Sequence, residues 1–468
     1  MARRCQIVAD RSRRRASDGR ARTTFQETPM TDFAALYAER LTTPEAAAAL
    51  IPSGAKVAMA LGVGQPPALL KALADRAQAR QVGGVNLYYL LSTAIAGETV
   101  MRYELTDRIR PYSLFHGAIE RKLEARGREE GRRAVWFVPT GFQQTPRVLT
   151  QEIGVDTLLA TVSPMDAEGY FSLGTNTDYA LAVSKTAQRV ILEVNPHMPR
   201  VFGDCRVHVS QVAAVVEHSA PLLEAGKAPQ QPQDVAIGAL IAGMVEDGST
   251  LQMGIGALPD AVCAALHDHR DLGIHTEMLT PGLVELMQAG VATNARKTLH
   301  PGKTVFTFSM GNRSTYEFLH ENPAFEARPV DYVNDPAVIA RNAKMISVNA
   351  TLQVDLFGAC CSEYLNGRQY TAAGGQLDFV RGAAASEGGK SIIACHSTAA
   401  KGTASRIVAR LDGPVTTPRN DIHYVVTEQG AVNLKGLTDD ARARALIGLA
   451  APEFREGLER EARAMGLI

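Results

Sequence analysis

Cysteine is scarce in this chain, and its positions suit neither cross-links nor a metal site. Six cysteines stand among 468 residues, at positions 5, 205, 263, 360, 361 and 395, and no Cys-x-x-Cys pair occurs. The adjacent Cys360 and Cys361 have neither the spacing of a disulfide framework nor that of zinc ligands. We therefore expect no metal, and reduced, mostly buried thiols in a cytoplasmic protein.

Long apolar runs are also absent. The longest is VAIGALIAGMV at 235–245, about half of the roughly 20 residues that a membrane-spanning helix needs. No segment has the pattern of a secretory signal. The sequence therefore predicts a buried helix at 235–245 and no membrane partner.

The chain has no excess of charge of either sign, because 49 basic residues balance 49 acidic ones. The charge is nevertheless uneven, since residues 1–29 contain eight arginines and three acidic residues. Such a leader is compatible with a targeting peptide or a nucleic-acid-binding arm. We favour a disordered extension that precedes the helix-like MTDFAALYAERL beginning at Met30, and we expect no nucleic-acid partner.

Short apolar strands alternate with amphipathic helices through the rest of the chain. AKVAMALG (55–62) is typical of a strand and PPALLKALADRA (66–77) of the helix after it, and the pattern restarts after a proline-rich stretch, SAPLLEAGKAPQQPQ. The alternation predicts an α/β fold with mainly parallel sheets. The proline-rich stretch indicates a linker, so we predict an N-terminal domain at 30–220, a linker at 221–234 and a C-terminal domain at 235–468.

A weak internal repeat relates the two predicted domains. MALGVGQPPALL (59–70) and LQMGIGALPDAV (251–262) share the order strand, Gly-x-Gly-x-x-Pro, helix. One shared motif is compatible with duplication. It predicts two similar domains that face each other, with a site in the cleft between them.

The second copy of this turn, GIGALPD at 254–260, is a candidate phosphate-binding loop. Glycines after a strand let the backbone approach a ligand, and free N–H groups at the start of the next helix favour phosphate. Pro259 replaces the last glycine of the dinucleotide-binding pattern, which disfavours an NAD(P)-dependent oxidoreductase. A bare Gly-x-Gly is more often a simple tight turn, so both interpretations stay open.

Two further patterns exclude reactions rather than support them. HPGKT (300–304) and GGKS (388–391) resemble the end of an ATP-binding P-loop, but Lys297 and Ala384 stand where the first glycine is needed. The triplet HTE at 275–277 matches the first part of a zinc-deaminase pattern, but the Pro-Cys-x-x-Cys that completes it is absent. Neither ATP hydrolysis nor zinc-dependent deamination is expected.

Glu277 stands among apolar residues in GIHTEM. It either faces solvent or lies in a pocket and reacts. Gly374 and Gly375 in TAAGGQLDFVRGAA can present unobstructed N–H groups, as an oxyanion hole requires. A thiol nucleophile at Cys360 or Cys361 is disfavoured, because apolar surroundings raise a thiol pKa. No single motif decides between these possibilities.

The order of the motifs is more specific than any one of them. Along the chain follow VSPMDAEGYFSLG, NPHMPRVFGD, GIGALPD, HTEMLTPGLVELMQAGVATNARKTLHPGKTVFTFSMG, VNDPAVIARNAKMISVNATLQVDLFG, GGQLDFVRGA, STAAKGTASRIV and VVTEQGAVNLKG. Over about residues 31–455 this series resembles the acetyl-CoA hydrolase/transferase family, in particular its 4-hydroxybutyrate and butyrate:acetate CoA-transferase branch.

The resemblance implies two related CoA-transferase-type α/β domains and a set of site residues. It implies that Glu277 is a covalent nucleophile and that Gly375, next to Gly374, supplies a backbone N–H near the thioester. It implies a place for Asn349 at the acyl site and for Lys401 near CoA. The glycine-rich turn would contact CoA through Gly254, Ile255, Gly256, Ala257 and Leu258.

The implied reaction moves CoA between a short-chain acyl-CoA and a free carboxylate, such as acetate or 4-hydroxybutyrate, through a glutamyl-CoA thioester. CoA is then a substrate, no cofactor is expected, and a homo-oligomer is the family expectation. An acyl-CoA hydrolase on the same scaffold and a non-catalytic CoA-binding protein remain as alternatives. The sequence does not specify the acyl group.

Overall fold

The computed structural model describes residues 32–226 and 229–468 of the chain. The predicted leader at 1–29 lies outside these residues. Phe33–Ile468 forms one compact unit, which begins with α1 (Phe33–Arg40) inside the helix-like segment predicted after Met30. No helix in the described part of the chain is long and apolar enough to cross a membrane.

The N-terminal half is built on one parallel sheet. Its strands are β1 (Lys56–Met59), β2 (Val85–Leu90), β3 (Ile109–Phe115), β4 (Trp136–Phe137), β5 (Thr157–Val162), β6 (Tyr170–Ser172), β7 (Arg189–Val194), β8 (Arg206–His208) and β9 (Ala214–Glu217). Seven of these strands, all within residues 32–226, pair in the order β4-β3-β2-β1-β5-β7-β9, and each pairing is parallel. β6 and β8 form a separate antiparallel pair.

The C-terminal half is built on a second, larger sheet. Its strands are β10 (Thr250–Met253), β11 (Gly273–Leu279), β12 (Thr304–Ser309), β13 (Phe325–Ala327), β14 (Met345–Ala350), β15 (Gln353–Asp355), β16 (Cys360–Cys361), β17 (Tyr364–Leu365), β18 (Arg368–Gln369), β19 (Lys390–Ala394), β20 (Thr398–Ala399), β21 (Ala404–Ser405), β22 (Ile407–Val408), β23 (Tyr424–Thr427) and β24 (Gly430–Asn433). Eight of them, within residues 229–468, pair in the order β13-β12-β11-β10-β14-β19-β23-β24. Only the last of these described pairings is antiparallel.

Helices join the strands and cover the sheets. Alternate residues of β1 lie in different apolar cores, with Val57 and Met59 in one and Ala58 in the other. Both faces of the sheet are therefore buried, as is usual for parallel sheets. The helices after α1 are α2 (Pro44–Ala49), α3 (Pro67–Gln78), α4 (Ala94–Gly97), α5 (Ala118–Glu129), α6 (Thr145–Arg147), α7 (Ala180–Thr186), α8 (Pro232–Ala242), α9 (Ala257–Ala265), α10 (Pro281–Gln288), α11 (Arg313–Leu319), α12 (Val330–Val333), α13 (Pro336–Ile339), α14 (Gln376–Ala385), α15 (Asp439–Leu449) and α16 (Pro452–Ala464).

The segment 235–245, predicted to be a buried helix, is buried on one side only. Most of it belongs to α8, whose Ile237 and Ile241 lie in an apolar core, whereas Val235 and Leu240 are exposed. The helix packs against α9 and β23. Because it is apolar all round, its sequence had no polar stripe to indicate which side would remain open.

The two sheets have the same topology. The strand order of the C-terminal sheet reproduces that of the N-terminal sheet, with the antiparallel β24 added at one edge. In both, the first strand leads through a Gly-x-Gly turn into a helix, β1 into α3 and β10 into α9. The prediction of two related α/β domains with mainly parallel sheets is confirmed. α8 begins at Pro232, inside the segment predicted as a linker, and the domain boundaries stay predictions.

Candidate active site

An opening forms where β10 and β11 separate. The two strands pair only as far as Leu251 with Ile274, although β11 continues to Leu279. β14 pairs with the other side of β10, so the winding direction of the sheet reverses at this point. Ligands of doubly wound folds bind outside the strand ends at such a reversal. Glu277 lies in β11 beyond the last pair with β10 and lines this opening.

A cavity of about 290 Å³ occupies the opening, between the two halves of the chain. The described lining residues from the N-terminal half are all apolar: Leu61, Leu90, Leu91, Phe115 and Phe142. The polar lining residues come from the C-terminal half: Gln252, Glu277, Asn349, Ser362, Thr371 and Gln376. Such a cavity can hold an apolar chain against one wall and a reacting polar group against the other.

Glu277 is partly buried in this cavity. Asn334 Nδ2 donates a hydrogen bond of 2.7 Å to Glu277 Oε2, and the Gly375 N–H donates another to the same carboxylate. Burial is the largest influence and raises the pKa of Glu277 from 4.5 to about 7, with the Asp378 carboxyl group adding to the increase and the two hydrogen bonds opposing it. The result is a carboxylate that is desolvated yet still ionised in part near neutral pH.

Gly375 lies so close to Glu277 that a side chain at this position would displace the carboxylate. A Cβ atom at Gly375 would lie 1.8 Å from Glu277 Oε2 and 2.1 Å from Asn334 Nδ2. Gly375 is also the residue that precedes α14, so its N–H group lies at the positive end of a helix. The neighbouring Gly374 has a φ of +54°, and its carbonyl oxygen accepts a 3.0 Å hydrogen bond from the Phe142 N–H of the N-terminal half.

Asn349 and Lys401 take different positions relative to the cavity. Asn349 lines it, but its side-chain amide forms two reciprocal hydrogen bonds with the amide of Gln252, at 3.2 and 3.3 Å. Lys401 is not among the described lining residues; it is exposed on the turn Ala400–Gly402 between β20 and β21. The structure therefore brings Asn349 into the cavity with Glu277 and leaves Lys401 outside it.

The glycine-rich turn lies at the mouth of the cavity. Gly254 and Ile255 line it, and Ile255 is half exposed. Gly256 has a φ of +113° and precedes α9, whose first residues are Ala257 and Leu258. The turn therefore presents the start of a helix beside the cavity, where backbone N–H groups favour an anionic group.

The equivalent turn of the N-terminal half is filled by the protein itself. Glu193 is fully buried at the start of α3, and its Oε2 accepts a 3.0 Å hydrogen bond from the Leu69 N–H. A second backbone hydrogen bond comes from Ala68. A carboxylate of the chain thus occupies the place that a ligand anion would take, so the two related turns serve different purposes.

Two site residues were not singled out from the sequence. Asn334 stands between α12 and α13 and is fully buried, and Asp378 lies in the first turn of α14. Both belong to stretches that carry the family resemblance, VNDPAVI and GGQLDF. Their place in these stretches was the available signal in the sequence. Neither residue has a spacing that relates it to Glu277, because the three residues come together only in the folded chain.

Other reactive groups lie apart from the cavity or have a pKa that disfavours their reactive form. Within residues 32–226 and 229–468, no group of three His, Cys, Asp or Glu residues is placed to hold a metal ion. Burial raises the pKa of the Cys360 thiol, which disfavours a thiolate nucleophile. His396 is engaged by another residue, because its Nε2 pairs with Asp234 Oδ1 at 2.7 Å.

Comparison with known proteins identifies the family. Residues 26–224 match the acetyl-CoA hydrolase/transferase N-terminal domain, and residues 311–462 match the acetyl-CoA hydrolase/transferase C-terminal domain. The chain belongs to the acetyl-CoA hydrolase/transferase family. Glu277 lies between the two matched ranges, in the part of the chain that carries β10 and β11.

Curated relatives of this acetyl-CoA hydrolase/transferase family member include CoA transferases. A succinyl-CoA:cyclohexane-1-carboxylate CoA transferase of Geobacter metallireducens is 42% identical, over 92% of this chain and 97% of its own length. A 4-hydroxybutyrate coenzyme A transferase of Clostridium kluyveri is 43% identical, over 91% of this chain and 98% of its own length. The prediction of a CoA-transferase enzyme is confirmed at this level.

A solved structure agrees over the same length. RipA from Yersinia pestis is 56% identical and superimposes with a TM-score of 0.91, over 93% of this chain and 100% of its own. The similarity of this acetyl-CoA hydrolase/transferase family member to RipA therefore extends over both halves and the cleft between them.

Proposed function

We propose that this protein transfers CoA between a short-chain acyl-CoA and a free carboxylate, such as acetate or 4-hydroxybutyrate, through a thioester on Glu277. The observation that carries the proposal is the position of the Glu277 carboxylate, which lies in the cavity between the halves and accepts hydrogen bonds from Asn334 and Gly375. A solvent-facing glutamate would have neither contact.

The reaction begins with attack of a Glu277 carboxylate oxygen on the acyl carbonyl carbon. The carbon–sulfur bond breaks, CoA leaves as a thiolate, and an acyl-glutamyl anhydride remains. The thiolate then attacks the glutamyl carbonyl carbon, so that a glutamyl-CoA thioester forms and the first acid leaves as a carboxylate. An acceptor carboxylate reverses both steps. Overall one thioester is exchanged for another, which is nearly isoenergetic, so the reaction needs no ATP and no cofactor.

Each attack places negative charge on a carbonyl oxygen. The Gly375 N–H contacts the Glu277 carboxylate in the free enzyme, and it is the donor proposed to stabilise that charge. One donor of this kind is typically worth about 3–4 kcal/mol. Asn334 donates to Glu277 Oε2 and orients the carboxylate. Asn349 has a lesser part in the proposal, because its amide is engaged by Gln252.

The CoA moiety is proposed to lie along the turn that contains Gly254, Ile255 and Gly256 and to approach the start of α9. The helix start favours the anionic part of CoA, and Ile255 offers an exposed apolar contact. Lys401, exposed outside the cavity, is proposed to meet the more distant part of CoA. The proposal also includes a homo-oligomer, as the family resemblance implies, and a cytoplasmic location, as expected from the cysteine pattern.

Intact-protein mass spectrometry tests this mechanism. Purified protein is mixed with butyryl-CoA without an acceptor, and a mass gain of one CoA less one water is expected. The gain should vanish in Glu277→Ala and Glu277→Gln. It should persist in Glu459→Gln, a matched change of an exposed glutamate on α16. An adduct that survives in both Glu277 variants would overturn the assignment of the nucleophile.

The alternatives predict other outcomes of the same experiment. An acyl-CoA hydrolase releases free CoA continuously without an added carboxylate, because water takes the place of the acceptor. A CoA-binding protein without catalysis gives no adduct and no free CoA, and Glu277→Gln leaves its CoA affinity unchanged. Free CoA that appears only after acetate is added supports transfer.

A further inference from the structure

Asp378 is linked to Glu277 through the side chain of Asn334. Its Oδ2 accepts a hydrogen bond of 3.4 Å from Asn334 Nδ2, the same atom that donates to Glu277 Oε2 at 2.7 Å. One amide group is therefore shared between two carboxyl groups. Because an NH2 group has two hydrogens in one plane, a fixed Asp378 also fixes the direction in which Asn334 meets Glu277.

The same carboxyl oxygen connects the site to the other half of the chain. Asp378 Oδ2 accepts a 3.3 Å hydrogen bond from the Gln143 N–H, in the turn Phe142–Gln144 of the N-terminal half. The adjacent Phe142 N–H donates to the Gly374 carbonyl oxygen at 3.0 Å. Two hydrogen bonds therefore hold this turn, one against the loop that carries Gly375 and one against the first turn of α14, next to the apolar wall formed in part by Phe142.

We propose that Asp378 is a positioning residue: it holds the Asn334 amide against the Glu277 carboxylate and ties that pair to the turn Phe142–Gln144. The proposal rests on Glu277 as the nucleophile. In this arrangement Asp378 touches neither substrate nor the reacting atoms, and it acts through Asn334. Its charge nevertheless acts on Glu277 directly, because both lie in the same desolvated region.

The charged and titratable groups around Asp378 come from three elements, and a fourth contributes only a backbone N–H. Glu277 approaches from β11, Asp335 from the segment after α12 and Arg381 from the next turn of α14, while the 142–144 turn offers only the Gln143 N–H. Burial is the main cause that raises the pKa of Asp378 to about 7, and Glu277 has a similar value. A charged Asp378 disfavours a second negative charge nearby and so adds to the raised pKa of Glu277.

The pH dependence of Asp378→Asn tests the proposal. Asparagine retains an oxygen that accepts from Asn334 and the Gln143 N–H but carries no charge. The acid limb of the kcat/KM profile for butyryl-CoA and acetate should shift to lower pH by about one unit. The value of kcat/KM on the alkaline plateau should change little. Asp378→Ala loses the acceptor as well, and its kcat should fall about 10- to 100-fold because Glu277 is misplaced.

Controls separate this proposal from its foundation. Asp355→Asn removes a buried aspartate that binds the backbone N–H groups of Phe357 and Ala359, and its pH profile should match that of the wild type. An Asp378→Asn profile identical to the wild type, or full kcat in Asp378→Ala, would refute the role of Asp378. If the Asp378→Asn variant does not fold, the kcat of a folded Asp378→Ala or Asp378→Glu variant tests the role of Asp378. A wild-type protein that forms no CoA adduct would instead refute the assignment of Glu277 as the nucleophile.

Discussion

Glu277 combines two opposing influences on one carboxyl group. Burial raises its pKa to about 7, while hydrogen bonds from Asn334 and Gly375 favour the ionised form. A fully hydrated carboxylate is a weak nucleophile, and a fully desolvated one stays protonated. The side chain lies between these limits, with part of the carboxylates ionised at neutral pH and few water molecules to displace.

Gly375→Ala should abolish most of the activity without unfolding the chain. The new Cβ would overlap Glu277 Oε2 and Asn334 Nδ2, so the carboxylate must move and the Gly375 N–H loses its direction. We expect kcat to fall about 100- to 1,000-fold, the usual effect of losing one oxyanion donor. Steady-state kinetics measures this, and circular dichroism confirms the fold.

Gly448→Ala is the matched control for that substitution. Gly448 lies in α15, and a Cβ there meets nothing within 4 Å. Alanine should leave kcat unchanged and stabilise the helix slightly. A Gly375→Ala enzyme that is as active as Gly448→Ala would show that the close contact with Glu277 has no role in the reaction.

The sequence supplied only part of this site at the residue scale. Glu277 and Gly375 were found through a resemblance, because nothing local distinguishes a pocket glutamate from an exposed one. Asn334 and Asp378 reach Glu277 only through the packing of α12, α13 and α14 around β11, which no sequence period encodes. Asn349 was expected beside the acyl group; it lines the cavity, and its amide pairs with Gln252 across β10 and β14, so its role stays a prediction.

At the scale of elements, the two Gly-x-Gly turns differ in what occupies the following helix start. At α3 the occupant is Glu193, which is buried and bound to backbone N–H groups. At α9 the start lies beside the cavity, next to Gly254. The two turns look alike in sequence, and the difference arises from β7, which carries Glu193 and follows α3 by more than a hundred residues.

Glu193→Ala should destabilise the N-terminal half. It leaves buried N–H groups at the start of α3 without an acceptor, which costs about 1–3 kcal/mol. Thermal unfolding should show a lower Tm with the structure of the site retained. An unchanged Tm would mean that water replaces the carboxylate without loss.

Glu193→Gln gives the complementary result, because it keeps an acceptor and removes the charge. Burial raises the pKa of Glu193 from 4.5 to about 7, so the folded state binds more protons than the unfolded state between these values. Wild-type stability should therefore fall as pH rises from about 4.5 to 7. The Glu193→Gln variant should lose less stability than the wild type over this pH range.

Strands and helices were predictable to different degrees. Apolar runs such as TLLATV and TVFTFS are long enough to specify buried strands, and they form β5 and β12. The short pairs β17–β18 and β20–β21 have two residues each, too few to show a period. The open side of α8 was also unpredictable, since Val235 and Leu240 are as apolar as its buried residues.

At the scale of the whole molecule, one of the apolar clusters contains residues from both halves. Met278 and Phe308 of the C-terminal half pack in the same cluster as Leu90 and Phe142 of the N-terminal half. The cavity is therefore a gap within a continuous core rather than a groove between independent bodies. Sequence patterns located each sheet but not this shared core, because it depends on how the sheets meet.

Leu91→Ala should widen the apolar wall and change acyl preference. Leu91 lines the cavity from the N-terminal half and is only partly buried, so its truncation costs little stability. We expect the ratio of kcat/KM for hexanoyl-CoA to that for acetyl-CoA to rise about 10-fold. Initial rates with both thioesters measure the ratio.

Leu437→Ala provides the matched control, because Leu437 is exposed outside the cavity. Its acyl ratio should equal that of the wild type. A Leu91→Ala ratio that also equals the wild type would show that the acyl chain does not reach this wall. The CoA adduct should form in both variants, since neither change touches Glu277.

The origin of the lining residues has an evolutionary consequence. Every polar residue described in the cavity lining comes from the C-terminal half, and the N-terminal half contributes only Leu61, Leu90, Leu91, Phe115 and Phe142. Mutations in the first half of the gene can therefore alter which acids are accepted while the reacting groups stay intact. The half that carries the reacting groups and the half that forms the apolar wall can then change separately.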